Sequence, residues 1–273
     1  MNTNLKVGLA SAIAVAACIA LPTTSPAADL YGGGGSIKDG YAPMASAAPS
    51  IAGPCYLRGD LGYSWSGDNK GTYVGNAVDP NVRGSELDSG AVWEAGIGCG
   101  SGSRGLRGEV TVGFRTGRDY KGDVDIVLGG LPIDPPIKST IDTYTVMVNG
   151  FYDFGNFRGF VPYVGAGVGV AMHDMGYVTI DHPASPNPQH GDTKVDLAWA
   201  LMAGVGYQVS SRAIIDVGYR YIDMGSAQSS QGDTLQFNNP KLVVDDITAH
   251  ELKIGLRYHF GSSGDCCAYA PMK

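Results

Sequence analysis

Beyond its first two dozen residues this sequence has no uninterrupted apolar stretch approaching twenty residues, so no later helix is apolar enough to cross a bilayer. It also lacks a basic cluster. Lys and Arg number 19 against 26 Asp and Glu, and the net charge of -7 removes the electrostatic footprint of a nucleic-acid-binding protein. Catalytic signatures are missing as well: there is no Gly-x-Ser-x-Gly elbow, no His-Glu-x-x-His and no phosphate loop. The expectation is a chain that is not an enzyme and carries no cofactor. What the sequence does have in quantity is Gly (41) and Tyr (15), set among short apolar alternations, a composition that points to β structure.

The N-terminus reads as a targeting segment. Lys6 supplies a lone positive charge, an apolar run occupies residues 7–21, and small residues at Ser25 and Ala27 place signal-peptidase cleavage after Ala27. A rival reading takes Val15, Ala16, Ala17 and Cys18 as a lipoprotein box that would leave a lipidated Cys18. Residues 28–52, rich in Gly, Ala, Ser and Pro, read as a flexible periplasmic linker. The expected organisation is therefore a signal peptide (1–27), this linker (28–52), a folded unit (53–260) and a tail (261–273).

Within 53–260 eight segments alternate with period two, the mark of strands whose two faces meet different surroundings. They are Cys55 to Trp65, Ala91 to Gly100, Gly105 to Thr116, Thr140 to Phe154, Gly159 to Met172, Lys194 to Val209, Arg212 to Asp223 and Thr248 to Phe260. The first puts Leu57, Leu61, Tyr63 and Trp65 on one face and Arg58, Asp60, Gly62 and Ser64 on the other; the last sets Leu252, Ile254, Leu256, Tyr258 and Phe260 against Glu251, Lys253, Gly255, Arg257 and His259. Each is about ten residues or longer, enough to cross a bilayer when tilted. Tyr63, Trp65, Phe114, Tyr152, Tyr207, Tyr219, Tyr221, Tyr258 and Phe260 lie near segment ends on the apolar face, where interfacial girdles belong.

The connections alternate strictly. Short turns fall near Gly102, Gly155-Asn156 and Ser210-Ser211, and long connections at 66–90, 117–139, 173–193 and 224–247. Short turns at one end and long loops at the other are the pattern of an outer-membrane barrel, and an even strand number leaves no free edge. A soluble β-sandwich or lipocalin-like barrel also alternates, but with apolar residues inward. Charge on the polar face of nearly every segment favours a closed antiparallel up-and-down transmembrane β-barrel of eight strands.

In that arrangement Arg58, Asp60, Glu94, Arg107, Glu109, Arg115, Asp196, Asp216, Arg220, Glu251, Lys253 and Arg257 point into the lumen. An eight-stranded barrel is barely wide enough for its own side chains, so these charges are expected to pair as a plug; a selective pore is the sharper alternative, with the many inward glycines as its source of free volume. Cys55 and Cys99 fall together at the rim of the first hairpin and can bridge, with bonds to Cys266 or Cys267 as rivals. His173, Asp174, Asp181, His182, His190 and Asp192 gather in the third long connection, but their loose spacing reads as a solvated loop rather than a metal site. The long connections lean acidic through Asp79, Asp88, Asp123, Asp125, Asp245 and Asp246, which could touch cations that bridge lipopolysaccharide.

The run Ala27 to Tyr31, the run Val161 to Gly169 (VPYVGAGVG), the run Asp216 to Gly225 (DVGYRYIDMG) and the closing segment Glu251 to Phe260 together give a resemblance. The chain resembles the small outer-membrane β-barrel surface proteins of rhizobial-type alphaproteobacteria, porin-like and opacity-like, related in architecture to the OmpA transmembrane domain. The resemblance implies location in the bacterial outer membrane, contact with lipid and lipopolysaccharide, and surface loops in contact with a host or the environment. It also implies an aromatic assembly signal, here Tyr258 and Phe260, although residues 261–273 follow where family members end. Two functions then compete: a structural surface protein displaying four long acidic loops, and a porin for small hydrophilic solutes.

Overall fold

The computed structural model describes residues 51–261 except positions 52, 68, 75–80, 101–103, 125, 129–130, 182–188 and 231–240. The signal peptide, the linker to residue 50, Cys18, Asp79, Asp125, His182, Cys266, Cys267 and the rest of the tail lie outside the described residues.

Eight long strands build the wall: β1 (Cys55–Ser66), β2 (Gly90–Gly100), β3 (Arg104–Val124), β4 (Pro136–Phe154), β5 (Phe160–Met175), β6 (Thr193–Gln208), β7 (Ala213–Asp223) and β8 (Thr248–Phe260). Each pairs antiparallel with its neighbours in sequence, and β8 returns to β1 in a continuous ladder from Cys55↔Phe260 to Ser66↔Ala249. Closure pairs every wall strand on both sides, the condition a lipid-embedded sheet must meet. The chain is thus the closed up-and-down barrel that the alternation predicts, with strand limits within a few residues except where β3 and β4 continue.

That continuation is the main departure. β3 runs on to Val124 and β4 begins at Pro136, so the hairpin stands well above the other strands. Short strands from the long connections flank it: Asn81–Leu87 pairs with β3, Lys70–Val74 pairs with Asn81–Leu87 and with Lys241–Asp245, and Lys241–Asp245 pairs with Ala227–Gln228. On the far side Thr179–Ile180 pairs with β4, and the bridges Val178↔Gln189 and Gly191↔Ser229 join the two ends. The long connections therefore form a second ring of β structure, a collar, above the barrel. The sequence reading treated them as loops; their strands pair only across long separations, which local alternation does not reveal.

Within the wall, side chains follow the predicted parity. Leu57, Leu61, Trp93, Val112, Val168, Leu201, Val217 and Ile254 point outward and are exposed, while Arg58, Glu94, Arg107, Asp216 and Glu251 point inward and are buried. Tyr152, Phe154, Phe160, Tyr207, Tyr258 and Phe260 mark the short-turn end of this apolar band, and Tyr63, Trp65, Phe114, Trp199, Tyr219 and Tyr221 the other. In the collar most of the buried positions are apolar instead: Tyr73, Val82, Tyr120, Val124, Ile137, Val178, Leu242, Val244 and Ile247 form a core with Ile222 and Met224.

Candidate functional site

The lumen of the barrel and the apolar core above it are the parts of the chain in which side chains of special chemistry converge. At the short-turn end, Arg58 pairs with Asp60 (2.6 Å) and Glu109 (3.0 Å), Arg107 pairs with Glu109 and with Asp153 (3.0 Å), and the Tyr56 hydroxyl donates to Glu109 (2.5 Å). The Arg107 guanidinium lies 3.9 Å from the centroid of the Phe151 ring and 4.8 Å from that of Tyr163, two rings that meet edge to face, so its charge rests in an aromatic corner. Arg257 holds Asp216 through two bonds, Nε to Oδ2 at 2.5 Å and Nη2 to Oδ1 at 2.8 Å.

Farther from that end a second group forms. Arg220 reaches Glu94 and Glu251, Arg115 donates to Glu251 (2.6 Å) and to Thr145 (3.2 Å), and Lys253 donates to Glu94 (2.7 Å). Above these, the Thr143 hydroxyl donates to His173 Nδ1 (2.9 Å), and His173 Nε2 donates to the Met224 carbonyl oxygen (2.9 Å). Charges removed from water survive only when paired and hydrogen-bonded, and these pairs link six strands across the barrel axis.

Eleven of the twelve predicted lumen charges take part in this arrangement. The exception is Asp196, which keeps the inward parity of β6 but lies at the outer rim, about one-third exposed, accepting from Ser226 Oγ (3.0 Å) beside Lys194 (3.3 Å). β6 has by that point left the narrow part of the barrel. Asp153 stands outside the predicted set although it is the next-but-one inward position after Asn149 on β4, where the same alternation points it into the lumen. Arg118, which is buried, stands outside that set as well. A β-bulge between Arg115 and Arg118, with Gly117 in the left-handed region (φ 66°), shifts the parity of β3 so that 118, 120 and 124 face inward in place of odd-numbered residues.

The inward glycines do not provide free volume. A Cβ at Gly98 would meet the Tyr56 ring and Glu109, one at Gly204 or Gly218 would meet the Tyr163 hydroxyl, and one at Gly206 would meet Arg257 Nη2. Each gap is already filled by a large side chain from an adjacent or next-but-one strand, which corrects the expectation that these glycines favour a leak.

Cys55 and Cys99 face each other at the rim and are joined by a disulfide. His173 and Asp174 fall on opposite faces of β5, the first buried and the second exposed, and among the described residues no group of three His, Cys, Asp or Glu is disposed to hold a metal ion. Two of the acidic connection residues are neutralised by neighbours: Asp88 pairs with Lys121 (2.9 Å) and Asp246 with Lys70 (2.9 Å).

A closed wall with a lipid-facing apolar band, aromatic girdles and a charged interior is an integral outer-membrane β-barrel. The match of the family described as "Outer membrane protein beta-barrel domain" to residues 40–260 agrees, and the chain belongs to that family. It is similar to the outer membrane protein PagN of Salmonella typhimurium, 32% identical over 156 residues that span 57% of this chain and 65% of PagN, just under two thirds of that relative. It is also similar to a Rickettsia bellii protein named "Putative adhesin", 25% identical over 74% of this chain and 86% of that one. Among solved structures, the outer membrane protein OprG of Pseudomonas aeruginosa covers 78% of this chain with 99% of its own length, at 19% identity and a TM-score of 0.49. The protein resides in the bacterial outer membrane.

Proposed function

We propose that this protein is a sealed anchor that presents a rigid β-collar at the cell surface, where the collar and the connections above it make contact with a host or the environment. The observation that carries this reading is the double filling of the barrel: ion-paired side chains occupy the lumen, and an apolar core closes the collar above it. A hydrated path would need polar walls and room for water, and neither storey offers both. The names PagN and adhesin among its relatives support a surface role and come to this chain only as part of the proposal. In this reading the barrel touches outer-membrane lipid and lipopolysaccharide. Tyr258 and Phe260, side by side on the outward face at the end of β8, serve as the aromatic mark for the assembly machinery, and residues 1–27 are removed on export.

Reconstitution of the purified protein into planar bilayers tests the seal. The expected record has no reproducible conductance steps; regular steps that vanish when the protein is left out would overturn the reading in favour of a porin.

A further inference from the structure

The two lumen clusters differ in charge balance. The cluster at the short-turn end joins three cations, Arg58, Arg107 and Arg257, to four carboxylates, Asp60, Glu109, Asp153 and Asp216. The outer cluster has Arg115, Arg220 and Lys253 on only two, Glu94 and Glu251. Arg118 stands immediately beyond it and adds a fourth cation without adding a carboxylate: its side chain donates to the Asp88 backbone oxygen (2.8 Å) and to Ser66 Oγ. The Asp88 carboxylate is exposed and occupied by Lys121. Arg115 and Arg118 repel each other, and each leaves a terminal guanidinium nitrogen buried without a partner. The two residues are 0% and 2% exposed, and the hydroxyl of the fully buried Ser64 on β1, opposite Gly90 of the intervening strand β2 against which the Arg118 side chain lies, is also unpartnered. Desolvated cations in excess of their carboxylates are costly, and unpaired N–H donors add to that cost.

We propose that the neck between barrel and collar binds one small inorganic anion of the halide class, held by the free guanidinium nitrogens of Arg118 and Arg115 with the Ser64 hydroxyl as a further donor. The anion offsets part of the outer cluster's cation excess and satisfies donors that the chain leaves open. The apolar collar above excludes larger anions and slows exchange, so this is a structural ion held inside the sealed barrel and separate from any surface contact.

Bromide is the probe. Crystals of the refolded protein grown in sodium bromide are expected to show an anomalous peak within hydrogen-bonding distance of Arg118 Nη1; ordered water there, with no anomalous signal, overturns the proposal. In detergent, replacing chloride by gluconate at constant ionic strength is expected to lower the temperature at which the compact, fast-migrating gel form is lost. Arg118→Met removes that dependence. Ser64→Ala, which takes away only a hydroxyl, keeps the fold and raises the chloride concentration needed for half the effect severalfold. Equal chloride dependence in the wild type and both variants overturns the site.

Discussion

The barrel and the collar share continuous strands and one hydrogen-bond ladder, yet they are packed in opposite senses. On β4, the inward positions Ile137 and Ile141 belong to the apolar core of the collar, while Thr143, Thr145, Asn149 and Asp153, on the same face farther down, belong to the polar lumen. Backbone geometry is the same in both; what differs is the medium outside. Where lipid surrounds the wall, apolar side chains gain nothing by turning inward, and the interior collects the polar groups. Where water surrounds it, the hydrophobic effect returns and reverses the pattern. Stability in the barrel therefore rests on paired charges, and in the collar on buried apolar area.

The largest expected effect breaks the barrel half of this comparison. Glu251→Ala strands Arg115 and Arg220 without their shared carboxylate in a dry interior, a loss of about 3–5 kcal/mol. Urea unfolding in micelles followed by tryptophan fluorescence measures it; a change under about 1 kcal/mol would show that the lumen is wet and the pairs are screened.

The collar half breaks differently. Leu242→Ala removes a fully buried side chain from the apolar core at a cost of about 2–5 kcal/mol. Because the barrel ladder is untouched, protease cleavage within the outer connections is expected to accelerate while the compact gel form persists. Simultaneous loss of both would mean that barrel and collar unfold as one unit.

Leu61→Arg sharpens the contrast from the lipid side. Leu61 lies midway along β1 and is 46% exposed, so a charge there meets hydrocarbon and costs about 2–4 kcal/mol of folding into bilayers. In a water-soluble β-sandwich the same exposed position would tolerate arginine freely.

How much of this was legible in the sequence follows the same division. In the barrel, alternation is local: Arg58, Asp60, Leu57 and Leu61 declare their faces within five residues, and all eight wall strands were readable. In the collar the short strands are two to seven residues long, as in Ala227–Gln228 or Asn81–Leu87, and most find their partners far along the chain, so Tyr73, Leu242 and Val244 read as scattered loop residues. Arg118 was hidden by the bulge at Gly117, because one extra residue reverses every face after it. The glycines misled for another reason: a missing side chain says nothing about whether a partner such as Tyr163 fills the space.

The smallest effect separates chemistry from environment. Lys70–Asp246, at 2.9 Å, is an ion pair no longer than Arg58–Glu109 or Arg107–Asp153 in the lumen, both 3.0 Å, but it sits in water, with the two side chains 77% and 56% exposed. The hydrogen bond to Asp246 holds the Lys70 ammonium above its ordinary pKa. The sign follows: whatever this pair contributes is present below the pKa of an unfolded lysine and is lost as pH rises through the higher folded value. Solvent and salt screen such a pair, and two long side chains must be ordered to make it. Lys70→Ala is therefore expected to leave the unfolding midpoint unmoved at neutral pH and at any salt concentration, in contrast to Glu251→Ala. A Lys70→Ala loss that approached the lumen variant's would mean that pairing alone, without burial, gives the interior charges their weight.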